Sequence, residues 1–402
     1  MSSEIGGIPR YRETSFPALF SQGFRPFFLL TAAWAPVALV LWLLELDGML
    51  DIPTVFVGAA WHGHEMIFGF ASAAMAGFLM TAIPNWTGRM PLQGLPLAIL
   101  AAAWVLGRIA VALSAWTGAV AAALCDLAFP ILLILALGRE VLAGRNWRNL
   151  PMLAGLGLLL AANAASHLSA AGMIADDGIG TRGGMAVFAA MLALVGGRVI
   201  PSFTRNRLVK IGSNLRPAPF GWLDRLALIS TVLALAAWVA DLTPTICGPL
   251  LPMAGILTAM RLTRWHGWRT LGDPSLWILH SGYAWLAIGL TLLGASALNA
   301  AIPPMAGLHA LSAGAIGSSI LGVMGRTTLA QTGRRATSVA GANAIHGLIT
   351  IAALLRVLAA APWGGYWPLL AASAGAWILA FAGFLFFYGN ALIGPKRDRR
   401  MA

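Results

Sequence analysis

Apolar stretches long enough to cross a membrane recur along this chain, at about 26–46, 57–84, 92–113, 117–138, 150–172, 183–204, 220–240, 244–262, 273–295, 303–326, 338–360 and 366–391. A hydrocarbon core of about 30 Å takes some 20 helical residues to cross, and inside it each backbone N–H and C=O must be satisfied within its own segment. The pattern therefore predicts an all-α integral membrane protein: a twelve-helix transmembrane domain over 26–391, with a cytoplasmic tail at 1–25 and a basic cytoplasmic tail at 392–402. Composition leaves little room for a soluble class, because 59% of the 402 residues are hydrophobic and only 10% are charged. The first residues hold no short apolar core with a small-residue cleavage site, so they read as a retained tail. Cys125 and Cys247 stand in distant spans without metal or disulfide spacing, which disfavours thiolate copper chemistry.

The net charge of +12 follows the same map. With the N-terminus inside, the cytoplasmic ends collect Arg10, Arg12, Arg25, Arg89, Arg139, Arg145, Arg148, the group Arg198–Arg225, Arg261, Arg264, Arg269, Arg326, Arg334, Arg335 and the C-terminal cluster from Lys396. Glu45, Asp47, Asp51, Asp176, Asp177 and Asp241 fall on the other side. This asymmetry predicts both termini in the cytoplasm. The basic loops then face anionic membrane lipid, and no nucleic-acid-binding pattern accompanies them.

Spans two, six and ten end in related strings, "GFLMTAIPNWTGR", "LVGGRVIPSFTRN" and "LGVMGRTTLAQTGR". Recurrence every four spans suggests three four-helix units around a pseudo-axis. Common use of Gly, Thr and Arg at inner helix ends accounts for the same strings without a repeat.

Ionisable groups inside spans are disfavoured by hydrocarbon and therefore mark candidate sites. Six of the seven histidines fall in spans; His266 stands in a cytoplasmic loop. His62, His64, His167 and His309 lie toward the outer face, and His280 and His346 in the inner half. Each also admits a plain reading as a hydrogen-bonding partner between helices. His167 fits that reading through Asn163, one turn earlier, and His280 and His346 fit it through Tyr283 and Asn343. His62, His64 and His309 stand at one depth on two helices running the same way, as a shared metal or haem would require.

Residues two apart on a helix point about 200° apart, so His62 and His64 cannot both face one iron. Glu65 shares a face with His62 and is placed to orient its second ring nitrogen or to relay protons as the catalytic residue. The run "HALSAGAIGSSILG" from His309 serves close helix packing, or leaves room for a flat macrocycle. Arg108, Arg182 and Arg356, near outer span ends, can meet propionates or snorkel to the interface. No phosphate-binding glycine loop, covalent haem motif or catalytic serine or cysteine arrangement is present. A haem held by one or two histidines uses the residues at hand.

The blocks "FSQGFRPFFLL", "WHGHEMIFGF", "GFLMTAIPNWTGR", "GGRVIPSFTRN", "LHSGYAWLAIGL" and "LHALSAGAIGSSILGVMGRTTLAQTGR" together resemble the NnrS family. The family is one of bacterial twelve-span inner-membrane proteins of the nitric oxide response, described as binding haem and copper. The resemblance implies haem b, with copper as a further cofactor, and nitric oxide as ligand. It implies that His62, His64, Glu65, His280 and His309 are motif positions, and it leaves His167 outside any matched block. Where the family usually has histidine in a string like "LGHTGR", this chain has Gln331, so the role of that histidine does not carry over. The span count and the histidines on spans two and ten are also similar to haem–copper oxidases and their nitric oxide reductase relatives. Spans six and seven here lack the histidines that hold the second metal in those enzymes.

The resulting expectation is a haem protein that binds nitric oxide and, as an enzyme of nitric oxide reductase type, reduces it with electrons from an unidentified donor. His62, His64, His280 and His309 are the expected metal ligands. His346, Arg108 and Arg356 are the further cofactor contacts. A proton-coupled twelve-span transporter, or a haem or copper trafficking protein, would use the same composition.

Overall fold

In the computed structural model the described residues are 16–395 apart from 89, 146, 176–177, 335–337 and 362–364. The expectations for Arg10, Arg12, Arg89, Asp176, Asp177, Arg335 and the basic cluster from Lys396 fall outside them. Twelve of the helices are long and apolar enough to cross a membrane: α1 (Phe24–Leu46), α2 (Ala59–Pro84), α3 (Leu95–Ala112), α4 (Ala119–Ala143), α5 (Trp147–Ala170), α6 (Ile179–Lys210), α7 (Trp222–Val239), α8 (Pro244–Thr263), α9 (Pro274–Leu298), α10 (Pro304–Thr332), α11 (Val339–Ala359) and α12 (Tyr366–Ile393). No strand occurs among the described residues. The chain is a multi-pass membrane protein, with large apolar side chains such as Leu106, Leu135, Leu233 and Phe386 turned outward.

Consecutive spans alternate in direction, so both described chain ends emerge at one end of the bundle. That basic end holds the start of α5 and the finish of α2, α6 and α10; the opposite end holds the start of α2, α4 and α10. The apolar window of α2 is 83% buried against 33% for α1 and α4, which puts α2 in the middle of the bundle. The spans α2, α6 and α10 pack against one another there. All three are interrupted by a wider π-helical stretch, at Glu65–Ala71, Leu192–Gly196 and Ala310–Gly317. A π turn shifts the helical phase and leaves backbone carbonyls available to other donors.

Several boundaries differ from the hydropathy reading. The helix at "AIPNWT" continues through Pro84 to Thr87 and ends on Gly88 in the left-handed region. At the finish of α6, helix persists beyond the apolar stretch, so Arg198, Arg205, Arg207 and Lys210 stand on helix and not in a loop. Hydropathy marks the part in hydrocarbon; the helix runs on into the headgroup layer, with cations at its negative C-terminal end.

Two arginines expected at the cytoplasmic surface are internal. Arg25, 2% exposed, donates from Nη1 to the carbonyls of Leu392 and Gly394 at 3.0 and 2.6 Å, satisfying the C-terminus of α12. Arg261 is fully buried and donates to Asp224 Oδ1 at 2.7 Å, Tyr283 Oη at 2.9 Å, and the carbonyls of Ala193 and Gly197 at 2.9 and 3.2 Å. It thereby takes up carbonyls around the π turn of α6.

Candidate buried charge network and histidine site

Toward the opposite end, α1 to α5 close around ionisable side chains that are nearly without exposure: His64 1%, Glu65 0%, Arg108 3%, Asp126 1% and His167 4%. Arg108 Nη1 donates to both Glu65 oxygens, at 2.8 and 2.9 Å, and its Nη2 pairs with Asp126 Oδ1. Trp34 Nε1 donates to Glu65 Oε2 at 2.9 Å, and Trp104 Nε1 to the carbonyl of Gly69 at 3.1 Å, inside the π turn of α2. Glycine makes room for this. A Cβ on Gly69 would lie 2.9 Å from Arg108 Nη1 and from Glu65 Oε2, and one on Gly107 would lie 2.8 Å from Asp126 Oδ1.

The hydrogen bonds fix protonation. Asn163 Nδ2 donates to Asp126 Oδ2 at 2.8 Å, so its Oδ1 faces His64 Nε2, at 2.9 Å. His64 Nδ1 faces Glu65 Oε1 at 3.1 Å. Both ring nitrogens thus face acceptors, an arrangement that suits the imidazolium form of His64. Two cations, His64 and Arg108, then balance two carboxylates, Glu65 and Asp126. A buried network close to neutral is what a low-dielectric interior tolerates. His167 Nε2 donates to Asp126 Oδ2 at 3.0 Å as a neutral ring.

A second state uses the same atoms. One ligand atom each from His64, Asp126 and His167 lies within 4.8 Å of the other two, with the two imidazole Nε2 atoms 3.3 and 3.0 Å from Asp126 Oδ2, a grouping that could converge on one metal ion. Loading an ion would expel the ring hydrogens that face Asp126, so proton and metal compete for one place.

His62 projects to the other side of α2. Its ring stacks on Trp42 at 5.3 Å with an interplanar angle of 17°. Arg356 lies close enough for its charge to act on both His62 and His309, and His62 is near enough to act on His309. His309 Nδ1 donates to the carbonyl of Met305 at 2.8 Å, which leaves Nε2 as its metal-binding nitrogen. His62 Nδ1 and Arg356 Nη1 are buried without a hydrogen-bond partner. Two imidazoles and a guanidinium, with polar atoms left over, fit a haem and one of its propionates.

Other expectations change. Glu65 pairs with its neighbour His64 and not with His62, whose ring stacks on Trp42. Arg108 is engaged on both terminal nitrogens by Glu65 and Asp126, so it is not offered to a propionate. Arg182 forms an ion pair with Asp241 at 4.0 Å. The small-residue face of α10 is filled at several positions: Gly314 abuts Trp285, Gly317 abuts Trp377 and Gly307 abuts Leu293, so there it packs against neighbouring helices. His280 and His346 have separate surroundings. His280 Nε2 meets Thr204 Oγ1 at 2.9 Å, whereas His346 lies against Trp277 with ring centroids 5.8 Å apart.

Sequence reasoning passed over Asp126, the residue on which His64, Arg108, Asn163 and His167 converge. An acid in mid-span within "ALCDLAF" was the available signal, since carboxylates inside membranes are rare and paired. His167, set apart because no matched block contains it, belongs to the same cluster. No curated protein matches the chain. The profile of the NnrS protein family matches residues 18–396, nearly the whole length, and the chain belongs to the NnrS family.

Proposed function

We propose that this protein acts in the nitric oxide response of a bacterial inner membrane, binding nitric oxide at a haem b held by His62 and His309 with Arg356 at a propionate. The observation that carries the proposal is that two imidazoles and a guanidinium lie within electrostatic range near one end of the bundle, with His62 Nδ1 and Arg356 Nη1 buried and unpartnered. Family membership supports the nitric oxide response. A haem, when bound, supplies a redox-active iron to which nitric oxide can coordinate.

The chain's own groups have definable parts. Met305, through its carbonyl, holds the His309 ring in one tautomer. Trp42 fixes the plane of the His62 ring. His64, two residues beyond His62, would store a proton on a ring hydrogen-bonded to Glu65. Asp126 and His167 complete the donor set that copper would use. Reduction of nitric oxide is the activity proposed, with electrons from a donor outside this chain.

Optical spectra of the purified protein test the reading. A stoichiometric Soret band that shifts on anaerobic addition of nitric oxide is expected, lost in His309→Ala and kept in His266→Ala. A colourless, folded protein, or full haem content in His309→Ala, overturns it.

A further inference from the structure

The basic end of the bundle contains a cavity of about 810 Å³ between the finish of α2, α6 and α10 and the start of α5. Arg148, Arg198 and Arg326 all line it, and among the described residues no carboxylate does. Arg326 is held by two contacts: its guanidinium lies 3.8 Å from the Phe203 ring centroid, and Nη1 donates to Ser275 Oγ at 3.0 Å. Arg148 and Arg198 have no hydrogen-bond or ion-pair partner among the described residues. Asn149, 92% buried by its 8% exposure, lines the same wall and has an amide nitrogen, Nδ2, with no partner. It caps the N-terminus of the helix Leu150–Ala170 without bonding to it, so the positive end of that helix also faces the cavity. Phe78, Val195, Val199 and Val323 are shared with an almost wholly apolar cleft of about 140 Å³ deeper between α2, α6 and α10.

Cations collected in one hollow repel each other unless an anion sits among them. Basic residues at inner helix ends are ordinary when they fan out to lipid. Here they turn inward onto one concave wall, joined by an unsatisfied donor and a helix N-terminus, with an apolar cleft behind. From this we infer that the cavity binds a ligand with a phosphate or carboxylate head on an apolar body. Arg148 and Arg198 grip the head with Asn149 Nδ2, Arg326 fixes the far wall, and the body enters the cleft past Phe78. The site lies at the other end of the bundle from His62, His64, His167 and His309 and does not rest on the haem reading.

Two sources carry this chemistry: an anionic lipid from the bilayer and a soluble organic anion from the water side. The full chain in phosphatidylcholine nanodiscs is titrated with phenyl phosphate, or reconstituted with rising phosphatidylglycerol, and its melting temperature is followed. Arg148→Gln and Arg198→Gln, both at exposed positions, test the site; Arg139→Gln, an exposed arginine outside the cavity, is the control. A charge-assisted hydrogen bond contributes about 1.5–3 kcal/mol, so each variant is expected to raise the half-saturating concentration by roughly tenfold or more. A response to phenyl phosphate alone assigns a soluble ligand, one to phosphatidylglycerol alone assigns a lipid, and one to both assigns the shared chemistry. The inference is overturned if neither probe shifts the wild-type protein, or if the cavity variants respond as Arg139→Gln does.

Discussion

Nε2 of His64 on α2 lies 3.3 Å from Oδ2 of Asp126 on α4, and both side chains are at most 2% exposed. The contact is an ion pair only because Glu65 draws the second ring hydrogen on the other side of the imidazole. Asp126 in turn takes Arg108, Asn163 and His167, so one carboxylate joins helices α2, α3, α4 and α5.

Asp126→Asn leaves His64 and Arg108 facing a single carboxylate, with one buried positive charge uncompensated. Removing one partner of a buried pair costs about 3–5 kcal/mol, whereas removing both can be nearly neutral. The single variant is expected to melt well below wild type in detergent, and Arg108→Gln/Asp126→Asn to recover part of the loss. A double variant no more stable than Asp126→Asn would show that the charges do not balance in this way.

Legibility in the sequence followed physical range. Twelve spans were readable because the hydrocarbon requirement acts locally, on each run of about 20 residues. That His62 and His64 face different neighbours was readable as well, from helical periodicity alone. The Glu65–His64 pair was not, since neighbouring helix positions point about 100° apart and only the side-chain placement in the folded bundle brings the two together. Arg25 and Arg261 were misread for a different reason. Positive charge near an inner span end looks the same whether it points to water or caps a neighbouring helix, and only tertiary structure separates them. The filled face of α10 was equally hidden, because small residues specify close approach without naming Trp285 and Trp377 as what approaches.

Gly197 tests how tightly Arg261 is held. A Cβ there would lie 2.3 Å from Nη1 and 2.4 Å from Cζ of Arg261, whose other bonds to Asp224 and Tyr283 prevent retreat. Overpacking of this kind costs about 1–3 kcal/mol, so Gly197→Ala is expected to lower the melting temperature. Gly157, where a Cβ would meet nothing within 4 Å, is the contrast. In a helix interior Gly157→Ala should stabilise by up to about 1 kcal/mol. Equal melting temperatures for the two variants would mean that Arg261 relaxes freely.

Substituting the two histidines at the start of α2 separates the two sites they serve. His62→Phe retains a ring to stack on Trp42 and removes a nitrogen that has no partner, so no hydrogen bond is broken. Its melting temperature should stay close to wild type while the Soret band is lost. His64→Phe removes a cation and two donors from between Glu65, Asn163 and Asp126, leaving the buried network with one excess negative charge. That imbalance, together with stranded acceptors at about 1–3 kcal/mol each, should lower the melting temperature by well over the shift seen in His62→Phe. It should also abolish metal uptake at the His64, Asp126 and His167 donor set, measured by metal analysis of the purified protein after dialysis against copper. Haem loss in His64→Phe with full stability, or instability in His62→Phe with full haem, would reverse the assignment of the two imidazoles.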